Sequence, residues 1–134
     1  MQSRSTKQKE IVLNTLKESK EHPSIYELYD TIKEKYPTLG KATVYRNVSK
    51  MLDDNLIRRI RTADGVDHYD GNMTPHIHLQ CTSCNQIIDI FENDFEVITE
   101  KLVKKINIEV YSYELLLIGN CEKCLKNKQR KKEK

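Results

Sequence analysis

The sequence predicts an α+β chain in two parts. The first is an N-terminal winged helix-turn-helix arrangement, and the second a small C-terminal α/β domain. Three observations predict it. Apolar residues recur at helical spacing in three successive stretches before residue 55. Two short strand-like runs follow, joined by a turn that contains Asp64-Gly65, the dipeptide that favours a tight hairpin. Beyond a short break from Gly71 to Pro75, His76 to Thr82 alternates with the period of a strand. The expected boundaries are 1–71 for the first domain, 72–75 for a hinge, 76–125 for the second domain and 126–134 for a basic tail.

Residues 6–19 read as the first helix, with Ile11, Val12 and Leu16 toward a core. Ser24 and Glu27 form a capping box that starts the second, in which Ile25, Leu28, Tyr29, Ile32 and Tyr36 follow at helical spacing. Pro37 ends it. His22 falls in the loop just before this cap. The third helix runs from about Lys41 to Asp54, with Val44, Val48, Met51 and Leu52 as its apolar stripe. Thr43, Arg46, Asn47 and Lys50 lie on its other faces and suit phosphates and base edges. Strands from Ile57 to Arg61 and Val66 to Asp70 make the wing, which carries Arg58, Arg59 and Arg61. Three helices followed by a basic hairpin point to double-stranded DNA as partner.

After the break, His76–Thr82 and Gln86–Phe91 read as strands with the Cys84 knuckle between them. Asn93 is expected to cap a helix in which Phe95, Ile98, Leu102 and Ile106 share a face. A long strand from Ile108 to Ile118 follows. Its Leu115-Leu116-Leu117-Ile118 run is apolar on both faces, as a strand buried on both sides would be. In so small a domain this suggests a sheet completed by a second copy, hence a homodimer and a dimerisation domain.

Composition sets limits. With 37% hydrophobic and 32% charged residues in 134, the core must be small or the chain must associate. The N-terminus has no apolar stretch of signal-peptide type, and no apolar run approaches a membrane span. On these observations a cytoplasmic location with no membrane partner is expected. The net charge of +3 is uneven: residues 72–125 hold 4 Lys and Arg against 8 acids, whereas residues 126–134 hold 6 against 1. The tail reads as a solvated, disordered end.

Two constellations carry chemistry. Cys81, Cys84, Cys121 and Cys124 form two C-x-x-C pairs. In a reducing compartment such pairs point to metal ligation, and four thiolates fit a closed, structural zinc site. His22, Asp70, His76, His78 and Asp89 form a harder set, suited to manganese, ferrous iron or zinc. Spacing alone also accommodates His22 as a loop residue and Asp70 as the closing residue of the wing. If the set is one site, it takes ligands from both sides of the hinge.

The chain resembles the ferric uptake regulator family over nearly its whole length, and most of all its peroxide-sensing branch. Arg4-Ser-Thr-Lys-Gln-Lys9 is similar to the family's opening motif, and Ala42-Thr-Val-Tyr-Arg46 to its recognition-helix motif. His76-Ile-His78 with Cys81-x-x-Cys84, and Cys121-x-x-Cys124, resemble its metal motifs. The resemblance implies structural zinc on the four cysteines and a regulatory Fe(2+) or Mn(2+) on His22, Asp70, His76, His78 and Asp89. It also implies DNA contact by Tyr45 and Arg46, and a dimer on a palindromic operator. Asp89 stands where the iron and zinc branches usually carry glutamate. Tyr111-Ser-Tyr113 occupies the region where the iron branch often adds a histidine. Both resemble the peroxide sensors, in which peroxide oxidises a ligand histidine, here matching His22 or His76, and DNA is released. Lys9 for arginine and Gly40 for a capping serine depart from the pattern. Two alternatives are an iron- or manganese-responsive repressor without peroxide chemistry and a non-haem metal enzyme. Against the enzyme, the sequence has no phosphate loop and no nucleophile motif.

Overall fold

A computed structural model describes residues 4–74, 76–91, 94–111 and 113–132. The chain divides into two compact units, Met1–Thr74 and Pro75–Lys134.

The first unit holds helices α1 (Arg4–Glu18), α2 (Ile25–Lys35) and α3 (Lys41–Asp53), then strands β1 (Arg58–Arg61) and β2 (Asp67–Asp70). The Ser24–Glu27 capping box is present in full and starts α2. Gly40 caps α3 with backbone alone, without a side-chain bond. The three helices bury Val12, Leu16, Leu28, Ile32, Val44, Val48 and Met51 against one another. Leu39, Ile57 and Tyr69 complete this core. Their positions in a loop, at a strand entrance and on the hairpin do not belong to any helical stripe. The antiparallel hairpin pairs Arg58 with Asp70 and Arg61 with Asp67. Gly65 turns it at φ 81, a left-handed value that favours glycine.

The hairpin is tied to the helices by its second strand. Tyr69 N donates to Pro23 O at 3.0 Å. His68 Nδ1 lies 2.8 Å from His22 O. Just past β2, Gly71 passes so close to α1 that an added Cβ would lie 2.9 Å from Lys17 N. The end of the wing and the α1–α2 loop are therefore held side by side.

The second unit contains β3 (Ile77–Cys81), β4 (Ile87–Ile90), α4 (Asp94–Ile106), β5 (Leu116–Gly119) and α5 (Glu122–Lys132). Its sheet has the order β4-β3-β5. β3 pairs antiparallel with β4, placing His78 opposite Asp89. It pairs parallel with β5, placing Cys81 opposite Gly119. Asn93, the expected cap of α4, and the side chains of Phe95 and Ile98 lie outside the described residues.

Two expectations are corrected here. The strand expected over Ile108–Ile118 is short, confined to Leu116–Gly119. The ladder with β3 begins at Leu116, with one further bond from His78 N to Leu115 O at 3.4 Å. Leu115, Leu117 and Ile118 are exposed at 38%, 36% and 59%, so one chain does not bury this run on both faces. The tail expected to be disordered is helical to Lys132. Its first turn grows out of the second cysteine knuckle, which spares it the nucleation step that makes short free helices marginal.

Candidate metal centres

The four cysteines meet because of strand register. Cys81 is the last residue of β3, and Cys121 lies two residues past the end of β5. The parallel pairing of Cys81 with Gly119 brings both knuckles to the same end of the sheet. Thr82 N donates to Gly119 O at 2.8 Å, and the Ser83 hydroxyl to Asn120 Oδ1 at 2.8 Å, so the two turns are stitched together. Asn85, at φ 60, closes the first knuckle with its amide on Cys81 O at 2.9 Å. Cys124 sits one turn along, in α5.

The four sulfurs lie within 4.8 Å of one another. Cys84 Sγ and Cys121 Sγ are 3.8 Å apart. Zinc–sulfur bonds of about 2.3 Å in a tetrahedron require a sulfur–sulfur distance of about 3.8 Å. The Cys121 amide donates to Cys81 Sγ at 3.3 Å and lowers the Cys81 thiol to about 6. The bonds that Cys121 and then Cys81 make with Cys124 push its thiol up to about 12. Four thiols this close cannot all ionise without a cation, and a divalent ion resolves the conflict. Donor type, spacing and closure fit structural zinc.

The harder ligand set lies in two groups, one in each unit. In the second unit, His76 and His78 project from the same face at the start of β3, with ring centroids 4.5 Å apart. Asp89 Oδ1 lies 3.1 Å from Nε2 of both. Neighbouring donors on a six-coordinate ion with bonds of about 2.1 Å stand about 3 Å apart, the spacing that each imidazole makes with Asp89. Phe91 stacks on the His76 ring at 4.7 Å and fixes its plane. Both imidazoles are buried.

In the first unit, His22 and Asp70 are buried with Nδ1 3.8 Å from Oδ1. His22 holds φ 51, a left-handed backbone that a non-glycine residue adopts only under constraint. The constraint is visible: His68 bonds the His22 carbonyl, and the capping box begins two residues later. His68 is a positioning residue that the sequence reading missed. The isolated pairing of Ser24 with His68, a contact 44 residues apart, and the bond from Tyr69 N to Pro23 O bring it to this loop.

The DNA-type residues lie on α3 and the wing. Arg46 and Lys50 are exposed on α3, and Thr43, Tyr45 and Asn47 half-buried. Arg46 Nη2 donates to Thr43 Oγ1 at 3.2 Å, which extends its guanidinium along the helix surface. Asn47 Nδ2 turns back to Thr43 O at 2.8 Å. Tyr45 packs edge-on against Tyr26, with Lys41 Nζ 5.2 and 5.6 Å from the two ring centroids. On the wing, Arg61 is exposed and Arg58 half-buried, while Arg59 Nε lies 3.5 Å from Asp67 Oδ2.

Comparison with known proteins agrees with this arrangement. Residues 1–118 match the model of the ferric uptake regulator family. The crystal structure of a Campylobacter jejuni peroxide stress regulator shares 35% identity and a TM-score of 0.79, covering 90% of this chain and 91% of that one. The ferric uptake regulation protein of Bacillus subtilis is 32% identical over 124 residues, covering 89% of this chain and 83% of its own. The peroxide-responsive repressor PerR of Staphylococcus epidermidis is 24% identical over 121 residues, covering 90% and 81%. A family match across this much of the chain settles its membership: the protein belongs to the ferric uptake regulator family, as a metal-responsive transcriptional regulator and not an enzyme.

Proposed function

We propose that the protein is a homodimeric repressor that senses hydrogen peroxide. Zinc on Cys81, Cys84, Cys121 and Cys124 is structural. A regulatory Fe(2+) or Mn(2+) takes Asp89, His76 and His78 from one unit and His22 and Asp70 from the other. Five ligands leave one position of a six-coordinate ion open. Bound ferrous iron supplies the one-electron chemistry by which peroxide adds oxygen to His22 or His76.

The chain's own residues do the rest. Asp89 holds the two imidazoles of β3 in line, and Phe91 keeps His76 from turning. His68 and the capping box hold His22 at the end of the wing, beside Asp70. Ligation from both units fixes the angle between them, and with it the spacing of two α3 helices on a palindromic operator. Thr43, Tyr45, Arg46, Asn47 and Lys50 of α3, with Arg58, Arg59 and Arg61 of the wing, then meet the DNA in the cytoplasm. Oxidation of a histidine removes a ligand and frees the angle.

The observation that carries this reading is the triad of buried His76 and His78 with half-buried Asp89, at the β3–β4 pair, with carboxylate–imidazole spacing that suits such an ion. The resemblance to the peroxide stress regulator at 35% identity supports it. The Bacillus subtilis relative at 32% identity favours a second reading, an iron-responsive repressor without peroxide chemistry. The test is selection of a duplex from a random pool with manganese-loaded protein. Binding is then repeated with iron and with manganese, before and after micromolar peroxide, beside peptide mass spectrometry. Iron-loaded protein that keeps its DNA and gains no oxygen on His22 or His76 would leave the second reading in place.

A further inference from the structure

Beyond Cys124, the C-terminal helix has no role in the sites just described. α5 begins at the second cysteine knuckle and runs to Lys132. Residues 126–134 hold 6 Lys and Arg against 1 acid, while residues 72–125 hold 4 against 8. The basic end is thus the strongest local charge of the second unit, and its residues up to Lys132 lie on a helix. An 11-residue helix is about 16 Å long. Its described side chains beyond Cys124 are exposed. Lys126 pairs with Glu122 at 3.1 Å, but both are largely in water, where such pairs contribute little. Lys123 and Lys128 have no ion pair among the described residues. Nothing apolar recommends a lipid surface, since Leu125 is the one large apolar residue of α5. The charge is complementary to a polyanion, and duplex DNA presents one phosphate charge per about 1.7 Å of its axis.

We propose that the basic part of α5, beyond Cys124, forms a second, sequence-independent contact with the phosphate backbone of DNA, separate from α3 and the wing. The inference rests on the reading of the chain as a DNA-binding regulator. The cysteine knuckle gives the arm its footing. A helix rooted in a closed four-sulfur site has its backbone ordered before DNA arrives, whereas a free tail would have to be ordered on binding. The arm adds affinity and salt dependence without adding sequence preference.

The experiment compares wild type with the fourfold variant K128Q/R130Q/K131Q/K132Q and with a chain truncated after Leu125. Glutamine keeps the helix propensity of lysine. The probe is a mixed-sequence 30-base-pair duplex, titrated by fluorescence anisotropy between 50 and 200 mM salt. Vesicles of phosphatidylglycerol and phosphatidylcholine form a comparison arm. Each lost phosphate contact lowers the salt slope by about 0.9, so three contacts lower it by about 2.7. Wild type should therefore lose about 40-fold more affinity than either variant across that fourfold range. Zinc content should be equal in all three chains. Parallel slopes overturn the proposal. So does a change on truncation that the glutamine variant does not share, because charge would then not be the cause. Binding to vesicles tighter than to the duplex overturns it in favour of a membrane. Failure of wild type to bind this duplex at 50 mM salt also overturns it. The regulator reading falls only if selection from the random pool fails as well.

Discussion

Asp89 stands opposite His78 on the β3–β4 ladder, with Oδ1 3.1 Å from Nε2. The same oxygen lies 3.1 Å from His76 Nε2. One carboxylate on a rigid strand therefore sets the position of two imidazoles.

Asp89→Ala should lower regulatory metal affinity by at least about tenfold, the loss expected when even an outer partner of a ligand is removed. Asp89→Glu adds a methylene and favours two-point ligation, which fills the open position. That variant should still bind DNA with metal but respond weakly to peroxide. Manganese titration, operator binding and peptide mass spectrometry read the three effects. An Asp89→Glu chain that oxidises as fast as wild type would remove the open position from the mechanism.

Cys81→Ser should reduce zinc content and unfold or monomerise the second unit. Structural zinc supplies on the order of 10 kcal/mol of folding energy in small domains, and Cys81 is its most buried ligand. Elemental analysis with circular dichroism and sedimentation checks this. Full zinc with a native dimer would exclude Cys81 as a ligand.

Arg46→Ala should weaken operator binding by about 1–3 kcal/mol while leaving stability within about 0.5 kcal/mol, since the side chain is exposed. Tyr45 differs. Its hydroxyl is buried and makes no hydrogen bond among the described residues. Tyr45→Phe should leave stability unchanged or raise it by up to about 1 kcal/mol, with a smaller loss of DNA affinity than Arg46→Ala. Thermal melts beside anisotropy separate the two residues.

Two glycines should behave oppositely. A Cβ on Gly71 would lie 2.9 Å from Lys17 N and 3.1 Å from Leu16 C, both backbone atoms that cannot swing away. Gly71→Ala should cost about 1–3 kcal/mol, or roughly 4–8 °C of melting temperature per kcal/mol. A Cβ on Gly40 meets nothing within 4 Å. Gly40→Ser should cap α3 and add a few tenths of a kcal/mol. A Gly71→Ala chain that melts with wild type would show that α1 yields at Lys17.

What could be read in the sequence was what local chemistry decides. The Ser24–Glu27 box, the stripe of Val44, Val48 and Met51, and the D-G turn each state their structure within a few residues. The C-x-x-C pairs stated their partners by count and spacing. The misses are all non-local. Tyr69 enters the core because β2 lies against the helices, and His68 meets the His22 loop across 46 residues. The strand expected from Ile108 is paired only over Leu116–Gly119, because pairing depends on β3, a partner 38 residues earlier in the chain, and not on the apolar run itself. The tail was read from charge alone, which describes its solvent exposure but not the knuckle that roots it as a helix.

The Cys121 amide bonds a sulfur 40 residues earlier in the chain. During synthesis at roughly 5–20 residues per second, the first knuckle therefore waits about 2–8 seconds for the second. Over that interval β3 and β4 can already pair, with Cys81 and Cys84 at one end and His76, His78 and Asp89 at the other. The nascent chain thus exposes a two-thiol site and a three-ligand site at once, before the parallel strand that closes the first exists. Correct metallation is then a matter of order of arrival as much as affinity. The structural site is complete only when Cys121 and Cys124 arrive behind β5 and close four sulfurs around one ion.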